Sequence, residues 1–333
     1  MRYSRIAIVK LSSLGDIVHT LPALSLLRNE YPASSITWFA DPHGAELMKN
    51  FSGIDKIVVV DLKSGGILQK AGNLKKIISK YRGKFDLILD FQGLTKSAVL
   101  SRLLGKNTAG FGRGNVREFP ARFFYKMKPL FFEEDSHVIR KNIHLLSIIG
   151  IYSGDIVYPM KAMDFSMEIK SFIENRELEP GRYVILNIGG GWETKLLSIE
   201  QNREILSGIN PDLKKVVLWG NRDEEIKADI ISESTGAIKV PFMNFTDLIL
   251  FIANAGALIS ADSLPLHIAD ATGTRSVGIF GPTSPERNGS LNRDNISIVN
   301  EIECSFCYKR KCSHKNCMVN LDLSPINNFI NGE

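Results

Sequence analysis

The sequence lacks the features that would place it outside ordinary globular proteins. No apolar run reaches the ~18 residues that a membrane-spanning helix needs, and residues 1–5 lead into a short strand-like segment where a signal peptide would have an apolar core. The 333 residues are 44% apolar and 23% charged, which excludes disorder, collagen and a small disulfide scaffold. At about 150 residues per domain, we expect a cytoplasmic protein of two domains.

Two nucleotide-binding signatures are also missing. No G-x-G-x-x-G follows the first predicted strand, and no G-x-x-x-x-G-K-[ST] occurs anywhere in the chain. These absences count against a dinucleotide-dependent oxidoreductase and against a P-loop NTPase.

Charge is divided unevenly along the chain. Residues 1–160 contain 23 Lys and Arg against 13 Asp and Glu, whereas residues 161–333 contain 18 against 23. A basic half favours an anionic partner, either nucleic acid or a phosphate-bearing surface such as lipid headgroups. The alternative is that these charges are spread over solvated helices.

Short runs rich in Ile and Val alternate with longer amphipathic stretches, which is the pattern of parallel strands joined by helices. The predicted strands are 5–10, 36–40, 56–61, 85–90, 108–111, 183–188, 214–219, 257–261 and 275–280. The predicted helices are 17–29, 67–81, 96–104, 199–206, 223–234 and 245–253. We therefore expect two doubly wound α/β domains that face each other across a cleft, with a boundary near residues 152–181. Ligands of such sheets bind beyond the carboxyl ends of the strands, so two domains suit a two-substrate transfer.

The loop after the first predicted strand contains Ser12, Ser13, Gly15 and Asp16. Either serine can cap the following helix, and Asp16 lies in the first helical turn, where the helix dipole favours an anion. An ionised carboxylate at this edge of a sheet suits a general base that takes a proton from a hydroxyl. Alternatively, Asp16 only complements the helix dipole.

The second domain has two loops of comparable interest. Residues 187–196 contain three consecutive glycines followed by Lys195, which together can bind a diphosphate, although glycine runs also form tight turns. Residues 261–271 contain Asp262, Ser263 and His267 at the start of a helix, where free N–H groups bind anions. The alternative for His267 is a buried histidine hydrogen-bonded to backbone.

The four cysteines form a single run, with His314 inside it. They are Cys304, Cys307, Cys312 and Cys317. In a cytoplasmic chain, such spacing predicts either a structural zinc ion held by thiolates or four free thiols.

Residues 10–24, with the sequence KLSSLGDIVHTLPAL, match the N-terminal signature of the family 9 glycosyltransferases almost position for position. Residues 90–98, 112–118 and 137–146 are similar to the heptosyltransferase I members of that family. The chain thus resembles the bacterial lipopolysaccharide heptosyltransferases over nearly its whole length. The resemblance implies the GT-B fold, which consists of two Rossmann-like domains.

The resemblance also implies a domain organisation and partners. Residues 1–160 would bind the acceptor, residues 175–316 would bind the nucleotide-sugar donor, and residues 317–333 would pack back on the first domain. The donor would be ADP-heptose and the acceptor of the Kdo-lipid A type, with no nucleic acid as a partner. The protein would be a monomer, peripherally associated with the inner face of the cytoplasmic membrane.

Individual residues are carried over from the family by motif. Asp16 matches the catalytic base, Lys195 the diphosphate-binding lysine, and Asp262 with His267 the D-[TS]-G-x-x-H donor loop, in which this chain has Leu264 where the family usually has glycine. That leucine puts close backbone approach to the diphosphate in question. The ribose-binding acid matches Glu224 or Glu225. The full set of predicted donor-binding residues is Ser12, Ser13, Gly15, Gly190, Thr194, Lys195, Glu224, Asp262, Ser263 and His267. The predicted acceptor-binding residues are Lys63, Gln92, Lys96, Arg113 and Arg117.

The reaction implied is an inverting transfer that needs no metal for catalysis. Asp16 would deprotonate the acceptor hydroxyl, and Lys195 would stabilise the leaving diphosphate. The alternatives are a family 9 transferase with another sugar nucleotide or acceptor, a nucleotide-sugar-binding protein without turnover, and a GT-B epimerase. Phe119, Phe123, Phe124 and Tyr125 lie among basic residues, where they either touch lipid or pack in the core.

Overall fold

The computed structural model describes residues 3–133 and 136–332, and the chain divides into two compact units, Met1–Ala162 and Met163–Glu333. Residues 1, 2, 134, 135 and 333 lie outside the described residues. Each unit contains one parallel sheet with helices between consecutive strands.

The sheet of the first unit has five strands in the order β3-β2-β1-β4-β5. These strands are β1 (Arg5–Val9), β2 (Ser35–Ala40), β3 (Lys56–Val59), β4 (Leu87–Asp90) and β5 (Thr108–Gly110). The central strand β1 pairs in parallel with β2 and β4, and Val9 lies beside Phe39 on one side and Asp90 on the other. Helices cover both faces of a parallel sheet, and β1 and β4 therefore consist almost entirely of buried apolar residues.

Six α-helices of the first unit connect or follow these strands. They are α1 (Leu14–Val18), α2 (Leu21–Glu30), α3 (Pro42–Met48), α4 (Ile67–Tyr81), α5 (Thr95–Leu104) and α6 (Val138–Leu145). Two 3-10 helices span Phe119–Phe124 and Leu146–Ile149. The predicted helix at 17–29 is two helices, because α2 begins at Leu21 with Pro22 in its first turn, where a missing N–H costs nothing.

The sheet of the second unit has six strands in the order β11-β10-β9-β6-β7-β8. These strands are β6 (Tyr183–Asn187), β7 (Lys214–Leu218), β8 (Ile238–Lys239), β9 (Ala257–Ala261), β10 (Ser276–Phe280) and β11 (Ile296–Val299). All pairings are parallel, so the carboxyl ends of β6, β7, β9 and β10 lie at one edge of the sheet.

Eight α-helices belong to the second unit. They are α7 (Met167–Asn175), α8 (Ile199–Gly208), α9 (Arg222–Thr235), α10 (Phe245–Ala253), α11 (Leu264–Thr272), α12 (Pro285–Asn288), α13 (Asn316–Val319) and α14 (Ser324–Asn331). A 3-10 turn at Glu193–Lys195 follows the loop after β6.

The structure confirms all nine predicted strands and the doubly wound class. The two strands that the pattern did not predict, β8 and β11, lie at opposite edges of the second sheet and are short. The packing of residues 317–333 on the first domain is corrected: Met318, Leu323, Ile326 and Ile330 are buried in the core of the second unit. The amphipathic helix α14 packs against α8 and β11, with Ile326 and Ile330 buried on its apolar face.

No helix within residues 3–133 and 136–332 combines the length and the apolar composition that crossing a bilayer requires.

Candidate active site

The loop after β1 is held in place by the loop after β4. The buried side-chain oxygen Oε1 of Gln92 accepts hydrogen bonds from the backbone N–H groups of Leu11 and Ser12, both at 3.0 Å. The buried Lys10 donates from Nζ to the carbonyl of Phe91 at 3.1 Å. Gln92, predicted to bind the acceptor, therefore uses its amide oxygen to fix the loop that precedes Asp16.

Asp16 lies in the first turn of α1, as predicted. Its Oδ2 accepts hydrogen bonds from the Ser13 hydroxyl at 2.8 Å and the Ser13 N–H at 3.2 Å, and it lies 3.5 Å from Nη1 of Arg117. Burial alone would raise the pKa of Asp16, but the positive charges of Lys10 and Arg117, with His19 and the Ser13 hydroxyl, hold it well below its usual range. Asp16 is therefore ionised at every physiological pH.

Arg117 reaches Asp16 because the loop after β4 also holds its backbone. The carbonyl of Gly93 accepts a hydrogen bond from the N–H of Glu118 at 3.0 Å, and the Glu118 carboxylate accepts one from the N–H of Thr95 at 2.8 Å. Gly93 has φ +67°, and an added Cβ would lie 3.3 Å from the backbone nitrogen of Arg117. Only glycine combines this backbone conformation with this close approach.

Asp90 is a buried carboxylate that the sequence analysis did not single out. Its Oδ1 accepts the N–H groups of Gln92 at 2.8 Å and Gly93 at 3.2 Å, and its Oδ2 accepts the hydroxyl of Tyr125 at 2.8 Å. Burial raises the pKa of Asp90 to about 6, although these hydrogen bonds act in the opposite direction. Asp90 thus shapes the loop that holds both the Asp16 loop and Arg117.

The other predicted acceptor residues lie in different surroundings. Lys63 donates to Asp41 at 2.9 Å, whereas Lys96 and Arg113 are exposed. The four aromatic residues divide: Tyr125 and Phe124 pack in the core, while Phe119 and Phe123 are 54% and 69% exposed. The prediction of core packing therefore holds for two of the four.

In the second unit, Lys195 and Asp262 form a buried ion pair. Nζ of Lys195 donates to Oδ2 of Asp262 at 2.7 Å and to its carbonyl at 2.9 Å. Asp262 also contacts Nε2 of His267 at 3.1 Å and accepts from Asn288 at 3.1 Å. Burial would raise the pKa of Asp262, but His267 and Lys195 hold it far below its usual range. The buried His267 therefore has a carboxylate partner.

Glu224 connects two loops at the carboxyl edge of the second sheet. Its carboxylate accepts the N–H of Gly190 at 3.2 Å and the N–H of Gly220 at 2.8 Å. A Cβ at Gly189 would lie 2.4 Å from Oε2 of Glu224, so a larger residue there would push the carboxylate away from its present position. Of the two candidate acids, Glu224 lies at these loops, whereas Glu225 pairs with Arg222 and Lys239.

Asn187, at the end of β6, is a second residue that the sequence analysis missed. Its Nδ2 lies 2.9 Å from Oγ of Ser260, 3.1 Å from Oγ of Ser263 and 2.9 Å from the carbonyl of Gly189. It thereby joins the glycine loop to the start of α11, where Ser263 is the N-cap. Leu264 is the first residue of α11 and is partly buried.

Thr194 and Trp192 connect the glycine loop to the cysteine run. The Thr194 hydroxyl donates to the carbonyl of Lys309 at 2.9 Å and is buried. The ring of Trp192 has Nζ of Lys195 at 4.4 Å and the guanidinium carbon of Arg310 at 5.0 Å from its centroid. Thr194, predicted to bind the donor, therefore uses its hydroxyl hydrogen for a contact within the protein.

The cysteine run itself contains four free thiols, of which Cys304 and Cys307 are exposed and Cys317 is buried. Burial, with the neighbouring thiols, raises the pKa of Cys317, whereas backbone hydrogen bonds lower the pKa of Cys312. Within residues 3–133 and 136–332, no three His, Cys, Asp or Glu side chains are arranged to hold a metal ion. The residues present therefore do not form a zinc site in this geometry, and zinc binding stays a prediction.

The chain is similar to proteins of a known family. The family model described as Glycosyltransferase family 9 (heptosyltransferase) matches residues 74–318. Lipopolysaccharide heptosyltransferase 1 of Campylobacter coli is 28% identical over 299 residues, which cover 85% of this chain and 86% of that protein.

Solved structures share the fold. The structure of E. coli heptosyltransferase WaaC with ADP aligns with a TM-score of 0.72 and 24% identity, covering 88% of this chain and 92% of that one. WaaC with ADP-2-deoxy-2-fluoro heptose aligns with a TM-score of 0.71 and 22% identity over the same shares. The two parallel sheets with alternating helices are those of the GT-B heptosyltransferases. With its family model covering most of the sequence, this chain belongs to glycosyltransferase family 9.

Proposed function

We propose that the protein transfers a heptose from ADP-heptose to a Kdo-lipid A type acceptor, with inversion at the anomeric carbon and without a catalytic metal. The observation that carries the proposal is the ionised Asp16 carboxylate at the carboxyl end of β1, beside the exposed cation Arg117. The relatives' names supply the substrate class: one is a lipopolysaccharide heptosyltransferase, and WaaC carries ADP or an ADP-heptose analogue.

Asp16 acts as the general base in this proposal. It takes the proton of the acceptor hydroxyl as that oxygen attacks the anomeric carbon from the face opposite the leaving ADP. Arg117 lowers the basicity of Asp16 while the two are paired. An anionic acceptor group that attracts Arg117 would restore this basicity, so base strength would rise when acceptor binds.

The second unit stabilises the leaving diphosphate. Lys195 uses two of its N–H donors on Asp262, which leaves one for a phosphate oxygen. The first turn of α11, capped by Ser263, has N–H groups without helical partners that favour an anion. Removing one such donor typically costs two to three decades of rate.

The basic first unit fits an anionic acceptor at a membrane surface. We propose peripheral association with the inner face of the cytoplasmic membrane, supported by the excess of Lys and Arg in residues 1–160. Gln92 acts on this side by positioning the Asp16 loop, and Arg117 by contacting the acceptor.

Asp16→Asn tests the proposal. The amide retains the shape of the side chain but cannot accept a proton, so we expect transfer from ADP-heptose to Kdo-lipid A to fall by about 10³-fold or more. The affinity for ADP, measured by calorimetry, should stay within about twofold of wild type. Asp155→Asn, which removes an exposed carboxylate from the same unit, should leave both quantities unchanged.

Other outcomes of the same assay separate the alternatives. Binding of ADP-heptose without transfer by the wild-type protein would indicate a binding protein. Release of an epimerised or free sugar from donor alone would indicate epimerase or hydrolase chemistry. Loss of ADP affinity in Asp16→Asn would contradict the assignment of Asp16 as the base.

A further inference from the structure

The segment that contains the cysteines, residues 304–317, has a role that the proposed reaction does not yet explain. It contains four basic residues and no Asp or Glu, and we refer to it as the cysteine segment. The basic residues are Lys309, Arg310, Lys311 and Lys315. Lys315 is paired with Glu193 at 3.6 Å, and the positive charge of the other three favours an anionic ligand over a purely structural function.

Three hydrogen bonds, one of them from a side-chain hydroxyl, fix the cysteine segment to two loops of the donor-binding unit. The Thr194 hydroxyl donates to the carbonyl of Lys309 at 2.9 Å. The N–H groups of Phe306 and Tyr308 donate to the carbonyls of Gly281 and Pro282 at 2.9 Å and 2.8 Å. These loops follow β6 and β10, so the segment lies at the edge of the sheet where Lys195 and Asp262 are found.

The buried pair of Lys195 and Asp262 leaves a charge deficit at that edge. The two side chains are 11% and 4% exposed, and their atoms are 2.7 Å apart. Asp262 is ionised because its pKa lies far below the usual range. The pair therefore has no net charge, whereas a nucleoside diphosphate brings at least two negative charges. A further cation is needed to compensate them.

Arg310 lies where it can supply this additional positive charge. Its guanidinium lies 5.0 Å from the centroid of the Trp192 ring, whose centroid is 4.4 Å from Nζ of Lys195, so both cations contact one aromatic side chain. Arg310 is exposed, and none of the ion pairs between residues that the structure describes involves it. Its charge is consequently available to a ligand.

We propose that Arg310 binds the diphosphate of the nucleotide-sugar donor, so that the cysteine segment completes the donor site. The planar guanidinium can donate two parallel hydrogen bonds to phosphate oxygens, and stacking on Trp192 orients it beforehand. The inference rests on the proposed function, in which an ADP-sugar is the donor.

Calorimetric titration of the full-length protein with ADP, AMP and adenosine tests the inference. We expect Arg310→Gln to weaken ADP binding about tenfold, AMP binding less, and adenosine binding not at all, because the effect follows the number of phosphates. Arg310→Lys, which keeps the charge but loses the fork, should fall between wild type and Arg310→Gln. The tenfold difference should shrink at high salt, because Arg310 is exposed.

Arg293→Gln is the matched control. Arg293 is exposed and precedes β11, which places it at the amino edge of the parallel sheet, opposite the donor loops. It should bind ADP as wild type does. Wild-type affinity for ADP in Arg310→Gln, or an equal loss for adenosine, would overturn the assignment of Arg310. A wild-type protein that binds no ADP would contradict the proposed function itself, and the assignment of Arg310 with it.

Discussion

The two units each present a carboxylate paired with a cation, but they hold these pairs very differently. In the first unit, Asp16 and Arg117 are 3.5 Å apart and 18% and 49% exposed. In the second unit, Lys195 and Asp262 are 2.7 Å apart and only 11% and 4% exposed. Ion pairs that are long and exposed contribute little to stability, whereas a buried carboxylate that loses its cation is costly.

This difference teaches that only one of the two pairs is built to separate. Arg117 can leave Asp16 at small cost and contact another anion, because water replaces it. Lys195 cannot leave Asp262 without leaving a buried charge behind, so a ligand of this loop would meet the pair as it stands. The pair of the first unit is thus exchangeable, and the pair of the second unit is preorganised.

Breaking the buried pair should give the largest effect. Lys195→Met keeps the volume of the side chain but removes one of the two side chains that stabilise the ionised Asp262, the other being His267, so we expect the free energy of unfolding to fall by about 3 kcal/mol. Transfer should fall by about two to three decades. Urea denaturation and a transfer assay would measure both, with Lys227→Met on the exposed face of α9 as a control that changes neither. Equal stability of the two variants would contradict the contrast.

Asp90 extends the comparison, because it is a buried carboxylate without a cationic partner among its described hydrogen bonds. Its pKa is raised from 3.8 to about 6, so the folded state favours the protonated form. Protonated Asp90 therefore contributes its full stabilisation of the folded state below about pH 4, and this contribution is lost as the pH rises to about 6. The resulting change in the free energy of unfolding is about 3 kcal/mol or less. We expect wild type to lose stability relative to Asp90→Asn over this interval.

Urea midpoints of both proteins between pH 4 and 7 would measure this difference. Asp86→Asn is the control, because the pKa of Asp86 is lowered to about 2 by hydrogen bonds from Arg5 and Ser4. Its stabilisation is lost only as the pH falls below about 4, so its curve should run parallel to wild type above that value. A constant difference between wild type and Asp90→Asn would show that Asp90 does not titrate in this interval.

Separating the exposed pair should have a smaller effect. Arg117→Gln should change the free energy of unfolding by less than about 1 kcal/mol. The pKa of Asp16 should rise toward its usual range, because one of the cations that lower it is gone. The acidic limb of the pH–rate profile should then move to higher pH. Arg102→Gln, which changes an exposed residue of α5, should leave the acidic limb of the pH–rate profile unchanged. An acidic limb that does not move in Arg117→Gln would contradict the pairing of Arg117 with Asp16.

The last prediction concerns the zinc content of the cysteine segment, for which we expect the smallest effect on stability and transfer. A structural zinc ion at Cys304, Cys307, Cys312 and Cys317 predicts about one equivalent of zinc in protein purified without chelators. Less than about a tenth of an equivalent of zinc by elemental analysis would dispose of the prediction.

Local signals explain what the sequence could predict. The β-strands were found because buried parallel strands are rich in Ile and Val, while β8 was missed because it has two half-buried residues. Asp16, Lys195 and Asp262 could be singled out because each lies in a loop whose residue types suit the predicted chemistry, and their roles stay predictions. The packing of α14 was assigned to the wrong unit, because an amphipathic helix does not encode which surface it covers.

Contacts distant in sequence explain what was missed. The role of Gln92 depends on its hydrogen bonds with Leu11 and Ser12, which lie 81 and 80 positions earlier in the sequence. Asn187 likewise contacts Ser260 and Ser263, which lie more than 70 positions later. Asp90 gave one signal that could have been used, since a carboxylate ends an otherwise apolar strand. The hydrogen-bond partners of Asp90 could not be predicted from a single sequence.

The position of α14 bears on how far the protein can be shortened. Ile326 and Ile330 are part of the same core as Val184, Leu206 and Ile298. A chain that ends before residue 317 would expose an apolar groove along α8 and β11 to solvent. We therefore expect such a truncated protein to aggregate. The core of the second unit is therefore complete only when residues 317–332 are present.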